Sequence, residues 1–135
     1  MAGFEVVQPD GALYADITRR FEGYNRAHTN WGADVFSVAQ FRNGRAIAAA
    51  RGIINMGLVE IRGVWIDPEL RGTGLGRALM AALEAEAMRR GATRAALDTY
   101  SWQAIGFYER LGYCEYGVLD YPNGTRRHFL VKDLG

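Results

Sequence analysis

The pattern of apolar and polar positions divides the chain into segments with helical or strand-like spacing. In the first segment apolar residues recur every three or four positions: Leu13, Ile17, Phe21 and Tyr24. This spacing predicts a helix over residues 12–28 with one apolar face. Before it, Phe4-Glu5-Val6-Val7 predicts a short strand that is closed by the turn residues 9–11.

The next segment predicts three consecutive antiparallel strands. Asp34–Arg42, Arg45–Asn55 and Leu58–Ile66 are rich in β-branched and aromatic residues or alternate in polarity. Asn43-Gly44 separates the first two strands and is a strong hairpin signal, because both positions accept positive φ angles. Met56-Gly57 predicts a second tight turn of the same kind.

The second half of the sequence alternates helices and strands. We predict a long helix over 73–90, a strand over 93–99, a shorter helix over 101–111, and strands over 113–119 and 126–131. The strand over 93–99 should run parallel to Leu58–Ile66, because a helix joins the two. The resulting order, βαβββαβαββ, predicts an α/β fold with a mixed sheet and helices, built as a single domain over residues 1–135.

Composition narrows the function. The 135 residues carry a net charge of only +1, which gives no support to a nucleic-acid partner. The apolar runs are too short for a membrane span, and the N-terminal residues do not resemble a signal peptide. Cys114 is the only cysteine, so an internal disulfide is excluded and a cytoplasmic location is expected. Two distant histidines and one cysteine argue against a metal site.

A glycine-rich loop follows the third strand of the meander. Gly72, Gly74 and Gly76 occupy alternate positions where the long helix should begin, and Arg71 and Arg77 flank them. Free backbone N–H groups at a helix start carry partial positive charge and bind anions such as phosphate. The spacing differs from the dinucleotide G-x-G-x-x-G pattern, and no lysine followed by serine or threonine completes a P-loop.

Two sequence blocks resemble the GNAT superfamily of N-acetyltransferases. Arg71-Gly72-Thr73-Gly74-Leu75-Gly76 is similar to its acetyl-CoA signature, Q/R-x-x-G-x-G/A. About 30 residues later, Ser101-x-x-Ala104-x-x-Phe107-Tyr108-x-x-x-Gly112-Tyr113 resembles its N-x-x-A-x-x-F/L-Y-x-x-x-G-F element. The chain departs from this second pattern at Ser101, where the family often has asparagine, which puts the cofactor contact at this position in doubt.

The resemblance implies acetyl-CoA as co-substrate and a GNAT fold. It implies that the strand before the loop splays from its neighbour at a bulge, which frees amides for the thioester carbonyl and the pantetheine. It places the pyrophosphate on the loop amides. The cofactor-binding residues implied in this way are Val64, Trp65, Ile66, Arg71, Gly72, Thr73, Gly74, Leu75, Gly76, Arg77, Ser101 and Ala104.

Two residues are candidates for proton transfer. Tyr108 matches the family tyrosine near the thioester sulfur, which implies a general acid that protonates the leaving thiolate; its alternative is an aromatic core residue. Glu60 resembles a strand glutamate that serves some members as general base, and period-two counting places it on one face with Val64 and Ile66. Its alternative is an exposed residue paired with Arg62 or Arg51. Asp98 is a weaker candidate base.

The resulting functional prediction is an acetyl-CoA-dependent N-acetyltransferase in which a primary amine of a small molecule or peptide attacks directly. The alternatives are a non-catalytic acyl-CoA sensor and a protein-interaction domain. No nucleic acid, membrane or metal is expected as a partner, and an exposed final strand would allow a homodimer. The sequence leaves the amine acceptor and the acyl chain length unidentified.

Overall fold

The computed structural model describes residues 3–9 and 11–135. Within it the chain forms two compact units, one ending at Gly32 and one comprising Ala33–Gly135. The assignment of residues 1–135 to a single domain stays a prediction.

The first unit contains one helix, α1 (Gly11–Arg26). Its exposed surface carries ion pairs one helical turn apart, in which Asp16 contacts both Arg19 and Arg20 at 2.6 Å. The first predicted strand is wrong, because residues 4–7 have no regular secondary structure. Three apolar residues and one glutamate do not specify a strand without a ladder of partner hydrogen bonds. Asp10, in the turn predicted to close that strand, lies outside the described residues.

The second unit is a six-stranded mixed sheet with two α-helices. Its elements are β1 (Asp34–Arg42), β2 (Arg45–Asn55), β3 (Leu58–Ile66), α2 (Leu75–Arg89), β4 (Arg94–Tyr100), α3 (Ile105–Arg110), β5 (Cys114–Asp120) and β6 (Arg126–Asp133). The spatial order is β1-β2-β3-β4-β6-β5, and every neighbouring pair is antiparallel except β3–β4. The predicted α/β fold class with a mixed sheet is confirmed, and so is the element order from α1 onward.

The core lies on the face of the sheet that carries α2. This helix packs against β1, β2 and β3. Its apolar face contributes Leu79, Met80 and Leu83, which are nearly inaccessible to solvent and join Val59 and Leu130 in one hydrophobic cluster. The long helix predicted from the sequence is therefore a central packing element of this unit, and its first turn is held close to the end of β3.

Two helices begin later than predicted, for different local reasons. Residue 73 was the predicted start of α2, but Gly74 has a left-handed conformation with φ near +88°, so the helix begins at Leu75. Residues 101–104 form turns and α3 begins at Ile105. There the side-chain carbonyl of Gln103 accepts the backbone N–H of Tyr100 at 2.8 Å, which stabilises a turn in place of a first helical turn.

Candidate active site

The only parallel pair in the sheet opens into a gap. β3 and β4 pair only at their beginnings, from Leu58 opposite Arg94 to Glu60 opposite Ala96. Beyond these three pairs β3 continues to Ile66 and β4 to Tyr100 without pairing to each other. The two strands therefore diverge towards their carboxyl ends, the edge where ligands bind in sheets of this kind.

A bulge in β3 changes which side chains face the core. Ala49 of β2 pairs with Trp65 and Arg51 pairs with Arg62, so Gly63 and Val64 together oppose the single residue between them. Gly63 takes a φ of +63°, which suits glycine. Past the bulge, the side-chain alternation is shifted by one residue.

This shift corrects the placement of Glu60. Val64 and Ile66 pack against the hydrophobic cluster that contains Ile61. Glu60 is exposed, and its side chain lies on the opposite face of β3 from that cluster. The glutamate instead forms an ion pair with Arg62 at 2.9 Å and does not line the cavity described below. The prediction that Glu60 shares a face with Val64 and Ile66 is wrong, because the bulge breaks the two-residue period between them.

The backbone of Ile66 is directed into the gap. The amide of Asp67 donates to the carbonyl of Ile47 in β2 at 2.9 Å, and amide directions alternate along an antiparallel pair. The N–H and carbonyl of Ile66 therefore point away from β2, whereas the amide of Trp65, which pairs with Ala49, points towards it. Of these two residues, only Ile66 can offer its amide to a ligand between β3 and β4.

The glycine loop brings uncapped helix amides to the same place. Gly72 and Gly74 both have positive φ angles, and a Cβ added to either would meet no protein atom within 4 Å. Among the described residues, no side chain caps the N-terminus of α2 at Gly74. The first amides of the helix are thus left for a ligand. At Gly76 a Cβ would lie 3.2 Å from the Phe107 ring, so the absent side chain here permits close packing with α3.

A buried carboxylate fixes the start of this loop. Asp67 is 1% exposed and accepts the Trp65 indole N–H at 2.9 Å and an Arg45 N–H at 2.6 Å. The indole hydrogen bond, followed by the contacts with Arg45, lowers the pKa of Asp67 below its ordinary value against the opposing effect of burial. The guanidinium of Arg71 lies 5.1 Å above the Trp65 ring, and its Nε donates to the Ile66 carbonyl at 3.0 Å. Arg71 is therefore oriented by the protein itself.

Gap, loop and α3 enclose one cavity of about 1060 Å³. This volume is large for a small-molecule site and suits an extended ligand. The predicted site residues that line it are Val64, Trp65, Ile66, Arg71, Gly72, Gly74, Gly76, Arg77, Ala104 and Tyr108. The predicted residues outside its lining are Glu60, Thr73, Leu75 and Ser101. Of these, Leu75 packs towards the core, and the Ser101 amide donates to the Arg126 carbonyl at 3.1 Å.

Tyr108 projects from α3 into this cavity. Its ring packs edge-on against Phe107, with centroids 5.1 Å apart, and against Tyr113, with centroids 6.1 Å apart. Tyr108 therefore packs with core aromatic residues and also lines the cavity. Within the described part of the chain, no protein group hydrogen-bonds its hydroxyl. Burial raises the pKa of the Tyr108 hydroxyl above its ordinary value, so the group is protonated at neutral pH and able to donate a proton.

Asp98 lines the cavity from the opposite strand but is engaged by an arginine. Arg127 of β6 contacts both carboxylate oxygens, with Nε at 3.1 Å and a terminal nitrogen at 3.0 Å. The carboxylate raises the pKa of Arg127 above its ordinary value through this contact. Asp98 is consequently a fixed negative charge at the cavity wall rather than a free base.

Three of the cavity residues that were not proposed as site residues from the sequence are Arg62, Trp102 and Arg110. Their positions depend on the splay of β3 and β4 and on the turn before α3, which no short motif encodes. Asp67 was also missed, although a carboxylate directly before a proline at a strand end is a recognisable turn signal. Four arginines and one aspartate line the cavity, so it favours an anionic ligand.

The described residues also bear on metals and membranes. Across residues 3–9 and 11–135, no three side chains of His, Cys, Asp or Glu come together as a metal site. In the same part of the chain, no helix has the length and apolar character needed to cross a membrane. The expectations of no metal and no membrane partner stay predictions.

Comparison with known proteins agrees with this geometry. The family model for the acetyltransferase (GNAT) family matches residues 10–113. Blasticidin-S acetyltransferase of Streptomyces morookaense is 42% identical over 73 residues, which are 53% of this chain and 54% of that protein. The match thus spans about half the length of this curated relative.

Solved structures share the fold. An acetyltransferase from Bacillus cereus superposes with a TM-score of 0.85 at 26% identity, covering 97% of this chain and 98% of that one. An aminoglycoside 6'-N-acetyltransferase complexed with coenzyme A has a TM-score of 0.66 at 20% identity, covering 75% of this chain and 73% of that one. The family match over residues 10–113, the fold and the glycine loop at the splayed strands together establish that the chain belongs to the GNAT family of acetyl-CoA-dependent N-acetyltransferases.

Proposed function

We propose that the protein transfers the acetyl group of acetyl-CoA to a primary amine of a small molecule or peptide, by direct attack and with Tyr108 as general acid. The observation that carries the proposal is the convergence of three features in one cavity. These are the uncapped amides at the start of α2, the Ile66 amide in the strand gap, and the protonated Tyr108 hydroxyl.

The residues present fit coenzyme A. The positive φ angles and open space at Gly72 and Gly74 leave the helix amides accessible, and Arg71 and Arg77 add two charges beside them. Such a site suits a diphosphate. The acetyltransferase complexed with coenzyme A among the fold neighbours supports the same cofactor here.

In the proposed acetyl transfer, Tyr108 is the one side chain to which we assign a chemical role. Bound acetyl-CoA supplies an activated acyl carbon and a thiolate leaving group. The Ile66 amide is placed to stabilise an oxyanion in the gap. As the amine nitrogen bonds to the acyl carbon and the carbon–sulfur bond breaks, the Tyr108 hydroxyl donates its proton to the departing sulfur, since no described protein group competes for that proton. The amine releases its own proton to solvent, and Tyr108 regains a proton from solvent. Asp98 is held by Arg127 and Glu60 by Arg62, so neither is assigned as the base.

The names of two similar proteins suggest which amine acceptors to test first. One acetylates blasticidin S by its name, and a fold neighbour acetylates an aminoglycoside. We therefore propose a small-molecule amine ahead of a peptide. A cytoplasmic location and a homodimer stay predictions.

The test measures cofactor binding and turnover separately. Calorimetry with coenzyme A reports binding, and thiol release from acetyl-CoA is followed with blasticidin S, kanamycin, spermidine and a peptide with a free N-terminus. We expect Tyr108→Phe to bind coenzyme A as the wild type does and to lower kcat by about 10²–10⁴-fold, as for removal of a general acid.

Three outcomes would contradict the proposal in whole or in part. Tight binding of acetyl-CoA without thiol release with any of these amines would favour an acyl-CoA sensor. Absence of binding at millimolar coenzyme A would favour an interaction domain. Unchanged turnover in Tyr108→Phe would remove this residue from the chemistry while leaving the transferase activity intact.

A further inference from the structure

On the face of the sheet opposite the glycine loop, side chains of β4 form another part of the cavity wall. Along β4, Leu97 and Thr99 are buried on the core side, whereas Asp98 and Tyr100 alternate to the other side. Tyr100 is also where β4 ends, at the mouth of the gap. Side chains on this face therefore meet the cavity from the side away from the proposed cofactor loop.

An aromatic pair forms a flat surface there. The rings of Tyr100 and Trp102 stack with centroids 4.9 Å apart and an interplanar angle of 9°. One face of the indole is thus covered by Tyr100. Trp102 lines the cavity and is still 69% exposed, so much of the ring surface is open to a ligand.

Two further residues contact Tyr100. Tyr121 packs edge-on against it with centroids 5.9 Å apart, and the two hydroxyls lie 3.3 Å apart. The guanidinium of Arg127 lies 5.8 Å from the Tyr100 ring centre and 5.0 Å from that of Phe129. A platform fixed in this way loses little conformational freedom when a ligand packs on Trp102.

A negative charge lies beside the platform. Asp98 uses one lone pair on each oxygen for Arg127, and a carboxylate has about four such sites, so it can still accept an ammonium group. Asp98 and Tyr100, the ring that backs Trp102, therefore lie two residues apart on the same face of β4.

We propose that Trp102, backed by Tyr100, and Asp98 form the acceptor subsite, and that the acceptor is a cationic amine carrying a flat aromatic or conjugated ring. This inference rests on the proposed function for the acetyl transfer itself. The ring packs on the open face of Trp102, and Asp98 receives the positive charge of the amine before it is deprotonated.

The test compares two amines of equal charge and similar size, benzylamine with a flat ring and cyclohexylmethylamine with a puckered one. Each is titrated by calorimetry into protein saturated with coenzyme A, and each is assayed for thiol release with acetyl-CoA. We expect the wild type to prefer benzylamine by roughly 2- to 12-fold, the range that aromatic packing contributes beyond burial.

Substitutions assign this preference to residues. Trp102→Ala should reduce the preference to about 1, and Trp102→Phe should retain most of it, because a phenyl ring still stacks. Asp98→Asn should weaken both amines equally and leave their ratio unchanged. Thermal unfolding of each variant checks that the fold is retained.

The outcomes separate the two proposals. Equal affinity of the wild type for both amines, or a preference that Trp102→Ala leaves unchanged, overturns the acceptor subsite whatever the turnover. If Trp102→Ala weakens coenzyme A and leaves the amine ratio unchanged, the platform belongs to the cofactor. A Trp102-dependent preference in binding without any thiol release would uphold the subsite and overturn the transferase activity.

Discussion

Substitution of Gly74 by alanine tests the proposed phosphate loop most directly. Gly74 has a φ of +88°, and an added Cβ would meet no protein atom within 4 Å. The cost to the fold is therefore the left-handed conformation alone, about 1–2 kcal/mol for an L-residue. The new methyl group would occupy space next to amides that we propose bind a diphosphate.

The same helix offers a matched control at its other end. Gly91 has a φ of +96°, and a Cβ there would also meet nothing within 4 Å. Gly91→Ala should thus destabilise the protein by a similar amount, about 1–2 kcal/mol, without approaching the cavity. Chemical denaturation of both variants checks that this backbone cost is equal.

Cofactor affinity should then separate the two variants. A hydrogen bond to a charged group contributes about 1.5–3 kcal/mol, so losing one at Gly74 corresponds to roughly 10- to 150-fold weaker binding of coenzyme A. Gly91→Ala should bind as the wild type does in the same calorimetric titration. Equal affinities in Gly74→Ala and Gly91→Ala, at equal stability, would refute the loop as the diphosphate site.

Two further substitutions test β3 and the residue that follows it. Glu60→Gln should change kcat by less than about threefold, because Glu60 pairs with Arg62 outside the cavity; a loss of 10²-fold or more in a thiol-release assay would return it to the chemistry. The lowered pKa of Asp67 means that its stabilising contribution is complete above its ordinary value of 3.8 and is lost as pH falls through the lower folded-state value. Thermal unfolding between pH 2 and 7 should show a larger loss at acid pH in the wild type than in Asp67→Asn, which keeps only the acid dependence of other carboxylates such as Glu86; the same acid dependence in both would contradict it.

Local chemistry predicted the meander well. Asn43 and Gly44 have φ angles of +53° and +77°, and Met56 and Gly57 have +53° and +83°, so both turns use the positive φ angles that tight hairpins require. Turn residues of this kind fix where strands end, which is why the bounds of β1, β2 and β3 agree with the prediction.

The prediction from the sequence was wrong where one residue interrupted the two-residue alternation of a strand. Gly63 introduces a bulge into β3, and period-two counting from Glu60 to Val64 then assigns the wrong face. A glycine inside a strand pattern is itself the signal for such a bulge. The Asp98–Arg127 pair and the Tyr100–Trp102 platform, by contrast, depend on the pairing of β4 with β6 and on a turn, so the sequence pattern alone did not reveal them.

The short parallel pairing of β3 with β4 has a consequence for the life of the protein in the cell. Three residue pairs join the two halves of the sheet, and past Glu60 the Ile66 amide has no strand beside it. A pantetheine chain carries amides of its own and would act there as a missing strand, as in β-augmentation. On our proposal coenzyme A both supplies the acetyl group and completes the hydrogen bonding of the sheet. Resistance to unfolding and proteolysis should therefore increase with the cellular concentration of coenzyme A.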